Sequence, residues 1–340
     1  MPTLKLLNSV LIGLLLMSCG RGHEPVSQQT TAMNTYVSVK IYDEDIDEAR
    51  ANDIIDSAFA EIQRVEGFAT DYNDTSEIGR INADAGIDSV SVSQELIGLI
   101  ERGMEYGDQS GGKLDITIGR LVKAWDFIGE KPHVLDHGVV DSLLAPIDYR
   151  RVVIKGNQVF LPSAGLRLDL GSIGKGYAID RAVALLKRAG MKKFIVDIGG
   201  KLGVSFAETN KFDSTAVEIL VRHPRKDGAY FGKFHVGTGA VSTSGDYQRF
   251  FIENGVRYHH LLDPSTGYPM RGLVGVTVVA DDALSADALS TLVFLLGREK
   301  GMEFIRETPG LEGMVIYEQG DSLAYEMSDV LAKRFSRIEE

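Results

Sequence analysis

The stretch RLDLGSIGKGYAID, residues 167–180, sets three glycines (Gly171, Gly174, Gly176) around a single Lys175. A short alternating apolar run precedes it, and AIDRAVALLKRAG follows with helical spacing. Strand, glycine turn, lysine and helix is the grammar of a loop that binds phosphate at a helix N-terminus. The letters depart from the common versions. Two residues, not four, separate Gly171 from the Gly-Lys pair, Gly176 stands where a P-loop has Ser or Thr, and GxGxxG is absent. The stretch predicts a strand over 166–170 and a helix over 176–189 that stops at Gly190.

Outward from this turn, strands are predicted at 193–198, 216–222, 233–236, 249–252, 256–262 and 274–280, and helices at 285–297 and 299–307. A strand–turn–strand pair and a short helix follow them to the C-terminus. On the N-terminal side, TYVSVKIY (35–42) alternates like a half-buried strand, while Ile54, Ile55, Ala58, Phe59, Ile62 and Val65 recur at helical steps within 46–66. Ser93 is placed to cap a helix over 93–109, and a further helix is predicted from Ile118 to about Ile128. Gly156-Asn157 and Asn254-Gly255 mark hairpins. Strands and helices interleave irregularly, which argues for an α+β fold with mixed or antiparallel sheets and flanking helices. No Pro/Gly-rich linker divides 31–335, so 32–340 reads as one catalytic unit, of one lobe or two.

The N-terminus sets a compartment. Residues 1–18 carry Lys5 and then an apolar run from Val10 to Met17, too short to span a bilayer and suited to a secretory signal. Cys19, the only cysteine of 340 residues, ends the lipobox-like Leu16-Met17-Ser18-Cys19. The chain is therefore expected to be a bacterial lipoprotein, acylated at Cys19, with 19–31 as a flexible tether. The formal net charge of −12 speaks against nucleic acid or anionic lipid as partners of the overall field. Membrane attachment then falls to the acyl anchor, with the body outside the cytoplasm, on an inner or an outer membrane.

Three further stretches carry chemistry. In SADALST (285–291), Ser285 can cap a helix, and Asp287 and Thr291 lie four apart on one face. They offer hard oxygen ligands for Mg²⁺ or Ca²⁺, or else a dipole-complementing carboxylate and a threonine bonded to its own backbone. Ser242-Thr243-Ser244-Gly245 reads as a turn of small donors before a strand. His259 and His260 end the next strand, where only one can face a given site; that one is either a general base or a structural histidine. FIVDIGG (194–200) ends a strand in a glycine pair, and Trp125 is expected in the core.

Together AMNTYVSVKI (32–41), GGKLDITIG (111–119), LDLGSIGKGYAID (168–180), VDIGG (196–200), STSGDYQRFF (242–251), YHHLLDPSTGYP (258–269) and SADALST (285–291) resemble, in this order, the ApbE family of FAD:protein FMN transferases. The resemblance covers about Ala32 to Glu340. It implies an ApbE-like fold and an enzyme that uses FAD and Mg²⁺ to attach FMN, through its phosphate, to a threonine of a partner protein, releasing AMP. It further implies that the glycine turn hugs the FAD pyrophosphate with Lys175 against its charge. The implied metal ligands are the Ser172 carbonyl, Asp287 and Thr291. Contacts with FAD would fall on Met33, Tyr72, Lys113, Leu114, Asp115, Asp169, Lys175 and Leu261, and His260 would take the proton of the attacking threonine while His259 faces away. The implied acceptor is a membrane redox subunit with an Asp-x-x-Ser/Thr-small-small-Thr motif. Two rival readings keep the same residues: a Mg²⁺-dependent FAD pyrophosphatase, in which water attacks, and a flavin-binding lipoprotein without turnover.

Overall fold

In the computed structural model, which describes residues 24–127, 129, 132–206, 211–212 and 217–338, the first turn is a two-residue hairpin. Met33 (φ 53°) and Asn34 (φ 55°) both sit in the left-handed region, joining β1 (Val26–Ala32) to β2 (Thr35–Ile41). Such a turn matches the right-handed twist of its strands. α1 (Glu48–Ala69) starts where the Asp47 carboxylate accepts the Arg50 N–H, and it buries Ile55, Ala58, Phe59, Ile62 and Val65. α2 (Glu77–Ala83), β3 (Val90–Ser91), α3 (Gln94–Gln109), α4 (Gly119–Trp125) and α5 (His137–Leu144) follow. Ser93 caps α3 as its sequence predicts, its hydroxyl accepting the Leu96 N–H. β4 (Val153–Lys155) and β5 (Gln158–Phe160) then lead to α6 (Gly174–Arg188).

The second half is mostly strand: β6 (Phe194–Ile198), β7 (Lys201–Ser205), β8 (Val217–Arg222), β9 (Tyr230–Val236), β10 (Thr238–Gly245), β11 (Phe250–Glu253), β12 (Val256–His259) and β13 (Gly275–Ala280). α7 (Ala283–Leu296), α8 (Arg298–Glu307), β14 (Glu312–Gln319), β15 (Ser322–Met327), α9 (Asp329–Ala332) and β16 (Ser336–Arg337) complete the described chain. Eight strands form one sheet in the order β1-β2-β6-β7-β10-β13-β14-β15, with every neighbouring pair antiparallel. The fold is α+β.

Strand alternation splits the core between the two faces of that sheet. Val196, Val276 and Val278 join one cluster with α1, α3, α6 and α7, whereas Ile195, Val204, Val279 and Ile316 face β8 and β9 through Phe231 and Phe234. A smaller cluster gathers Leu121, Trp125 and Phe127 against Phe251 and Tyr258 of the β11–β12 hairpin. Trp125 is buried there, as expected, and its indole N–H donates to the Gly267 carbonyl.

Several expectations need correction. Residues 166–170 form no strand; only an isolated bridge joins Ile118 to Arg167, so the opening strand–turn–helix grammar lacks its strand. The expected tether is described from Glu24, and its residues 26–31 belong to β1, held to α1 by the Gln28 amide donating to Asn52 Oδ1. Ser242–Gly245 lies within the central strand β10 rather than in a turn, because each of its residues pairs with β13, from Ser242 opposite Val278 to Gly245 opposite Gly275. Asp282, not Ser285, caps α7. Residues 1–23, including Cys19 and the signal, lie outside the described residues.

Candidate active site

α6 begins without a capping side chain of its own. The missing acceptor arrives from α7: Asp287 Oδ2 accepts the Gly176 N–H at 2.9 Å. Asp180 of α6 returns the favour, its carboxylate accepting the N–H groups of Ala283 and Leu284 at the start of α7. Each helix thus places a carboxylate on the other's positive end. The helices approach so closely that a Cβ on Gly176 would fall 2.2 Å from the Ala283 carbonyl oxygen. Gly176 is therefore required by helix packing, whereas the open flank of Gly174 meets only the Met33 Cε at 3.7 Å.

Asp287 is 1% exposed, and its second oxygen is also engaged. Lys201, the first residue of β7, places Nζ 2.6 Å from Oδ1. The same ammonium donates to Ser242 Oγ at 2.9 Å. From there a buried chain of hydroxyls runs Ser242–Ser290 (3.0 Å), Ser290–Ser244 (2.9 Å) and Ser244–Thr291 (3.4 Å). Ser242 and Ser244 share one face of β10 by strand alternation, which is why both reach Ser290. The Thr291 hydroxyl also donates to the Asp287 carbonyl at 3.3 Å, the backbone bond expected of a helical threonine. Lys201 has only a faint signal in the sequence, a lysine directly after the Gly199-Gly200 pair and at the start of the short strand KLGVS.

Lys175 donates to the Gly171 carbonyl at 3.1 Å, back across the first turn of α6. Burial pushes its pKa down to about 8, helped by the Lys201 and Arg249 cations against the pull of Asp287 and Asp169. Ser172 lies in the same turn, where the Leu170 carbonyl accepts the N–H groups of Ile173 and Gly174. Asp169 Oδ1 accepts the Gly171 N–H at 2.7 Å. Tyr72 stands 62% exposed, within electrostatic reach of Asp169 and Arg249. Met33, held in its left-handed conformation, donates its N–H to Glu66 Oε1 at 2.8 Å. A non-glycine residue in that region carries strain that its surroundings must hold.

The two histidines divide as expected. His259 faces Phe294 edge-on, with Nε2 2.7 Å from the Met270 carbonyl and Nδ1 accepting the Leu261 N–H. It is structural. His260 turns the other way; its Nδ1 is buried with no hydrogen-bond partner. Burial first, then the Arg249 guanidinium, the neighbouring His259 ring and the Lys175 ammonium, push the His260 pKa down to about 3, so the ring is neutral near pH 7. Arg249 thus lies within electrostatic reach of Tyr72, Lys175 and His260. It lies in the quoted STSGDYQRFF stretch, yet only the fold shows what it faces.

The Lys113–Asp115 run is more occupied than a set of ligand contacts would be. Lys113 Nζ pairs with both oxygens of Asp263 (2.9 and 2.8 Å) and donates to Ser265. Asp115 accepts from the N–H and hydroxyl of Thr117 and from the Tyr149 N–H, and Leu114 is buried. As placed, the side chains of Lys113 and Asp115 brace the turn after His260 and the loop at Tyr149. Leu261 is buried beside them, its carbonyl accepting the Met270 N–H.

Lys175 and the buried Asp287 thus stand at the start of α6, with the neutral His260 and Arg249 within electrostatic reach of Lys175. Residues 33–315 match the ApbE family model, which spans most of the chain. The chain belongs to the ApbE family. It is 32% identical over 317 residues to a protein of Treponema pallidum named FAD:protein FMN transferase, covering 88% of this chain and 87% of the relative. A Klebsiella pneumoniae protein of the same name is 31% identical, over 92% of this chain and 95% of its own. Among solved structures, an ApbE protein from Thermotoga maritima superimposes with a TM-score of 0.81 at 30% identity, covering 92% of this chain and 99% of that one.

Proposed function

We propose that this ApbE-family chain is an FAD:protein FMN transferase that moves FMN from FAD to a threonine hydroxyl of an extracytoplasmic partner and releases AMP. The observation that carries this reading is the convergence of Lys175, Arg249 and the unpartnered His260 Nδ1 beside Asp287. Cations beside a neutral imidazole suit an anionic pyrophosphate and a hydroxyl nucleophile.

In this reading Lys175 and Arg249 hold the pyrophosphate. The threonine oxygen attacks the FMN-side phosphorus, forming a new P–O bond as the P–O bond to AMP breaks, and His260 Nδ1 takes the hydroxyl proton. Positioning and charge neutralisation supply most of the rate in such transfers. Asp287, Thr291 and the Ser172 carbonyl would hold Mg²⁺. Their chemistry fits: all three are hard oxygen donors, and Thr291 follows Asp287 by one turn of α7. Among the described residues no cluster of three His, Cys, Asp or Glu side chains offers a softer or more anionic metal site. When bound, the ion supplies charge neutralisation on the phosphate oxygens.

The export signal, the acylated Cys19 and an acceptor with the Asp-x-x-Ser/Thr-small-small-Thr motif complete the proposal. Among the described residues no helix is long and apolar enough to cross a membrane, which leaves the anchor to the N-terminus in this reading. The test combines the chain from Glu24 onward with FAD, Mg²⁺ and a domain bearing the acceptor motif, following acceptor mass and AMP together. One FMN gained on threonine, matched by AMP and abolished by EDTA, is expected. AMP without a mass shift would make the protein a pyrophosphatase, and no AMP would leave a flavin-binding protein.

A further inference from the structure

We infer that Lys201 is a built-in cation of the metal site: it holds the Asp287 carboxylate in place without metal and limits how tightly that carboxylate takes a divalent ion. The inference rests on the proposed reading of Asp287 and Thr291 as metal ligands. Asp287 is fully enclosed, and a buried carboxylate needs both charge compensation and hydrogen bonds. Both are supplied internally. Lys201 Nζ sits 2.6 Å from Oδ1, and the Gly176 N–H donates to Oδ2 at 2.9 Å. With one oxygen on an ammonium and the other on a helix N-terminus, the carboxylate offers a metal only its remaining lone pairs. Any ion bound there feels a positive charge one carboxylate away, an interaction that water screens poorly at a buried site.

Lys201 is tied to the second proposed ligand as well. Its ammonium donates to Ser242, and the Ser242–Ser290–Ser244 hydroxyls carry the connection on to Thr291 Oγ1. The lysine is only 8% exposed, so it is a fixed part of this arrangement rather than a surface side chain folded inward. Lys201 is thus a positioning residue acting through Asp287 and Thr291. It fixes the ligand geometry before metal arrives and repels the metal once it does.

The test measures metal binding directly, by Mn²⁺ electron paramagnetic resonance and by Mg²⁺-dependent thermal unfolding, on the chain from Glu24 onward. Lys201→Met should bind Mn²⁺ at least tenfold more tightly than the wild type. Its metal-free form should melt lower, and saturating Mg²⁺ should raise its Tm by more than it raises the wild type's. Mn²⁺ affinity unchanged in Lys201→Met, with Asp287→Ala abolishing binding, would overturn the role of Lys201 while leaving the metal site intact. No Mn²⁺ binding by the wild type would overturn the metal site and this inference with it. Should Lys201→Met fail to fold, Lys201→Met/Asp287→Asn separates charge from packing. Recovery of folding in the double variant supports the ion pair as the reason, and failure to recover overturns it.

Discussion

At the residue scale, burial lowers the pKa of both Lys175 and His260 in the candidate site. Lys175 keeps its charge below a pKa of about 8 and loses it above, because burial disfavours the ammonium. In the proposed reaction, kcat/KM should therefore fall as pH rises through about 8, and Lys175→Arg should move that limb upward, since guanidinium stays charged. A pH–rate profile identical in the two proteins would remove Lys175 from the pyrophosphate site. His260 titrates near 3, so its neutral ring is available throughout that range and adds no limb near neutrality. His260→Gln should retain FAD binding while transfer falls by about 10²–10⁴, the usual worth of a general base. Equilibrium flavin binding and single-turnover mass analysis separate the two effects. His259 was legible as the other partner of the pair, because adjacent strand residues face opposite sides.

At the element scale, the pairing of α6 and α7 builds the site. Their reciprocal capping needs Asp180 and Asp287 to cross between helices, and the close approach needs Gly176. Gly176→Ala should cost about 1–3 kcal/mol, the usual penalty for overpacking, because backbone must shift to admit the methyl group. The loss of transfer should be larger than the loss of stability suggests, since the shift moves Asp287 away from the start of α6. Urea unfolding and transfer assays on one preparation check both. The helices α1, α3, α6 and α7 were readable from spacing and caps, apart from the Asp282 cap. β7 and β10 were not, because small polar and glycine-rich strands such as KLGVS and TGAVSTSG carry little alternation.

At the scale of the whole molecule, an eight-stranded antiparallel sheet carries a core on each face, and β1 is one of its two edges, β15 the other. A chain starting at Glu24 should be stable and monodisperse. A chain starting at Met33 loses β1 and its bond to Asn52, and leaves β2 as an open edge prone to pairing with other chains. Thermal unfolding and size-exclusion chromatography should show a lower Tm and association for the shorter chain; equal behaviour would mean that β1 contributes nothing to the fold.

Sequence by itself determined the family and the α+β class, because ordered motifs, helical spacing and strand alternation are local properties. It also marked Asp287, Lys175 and His260, whose chemistry is unusual for their positions. Tertiary structure decided which groups meet. The Lys201–Asp287 ion pair spans 86 positions of the chain, and Arg249 comes within electrostatic reach of Lys175, 74 positions before it, only in the folded chain. It also decided that Gly176 serves a helix contact and that Lys113 and Asp115 brace loops. Such pairings depend on sheet order and helix packing, which no local pattern encodes.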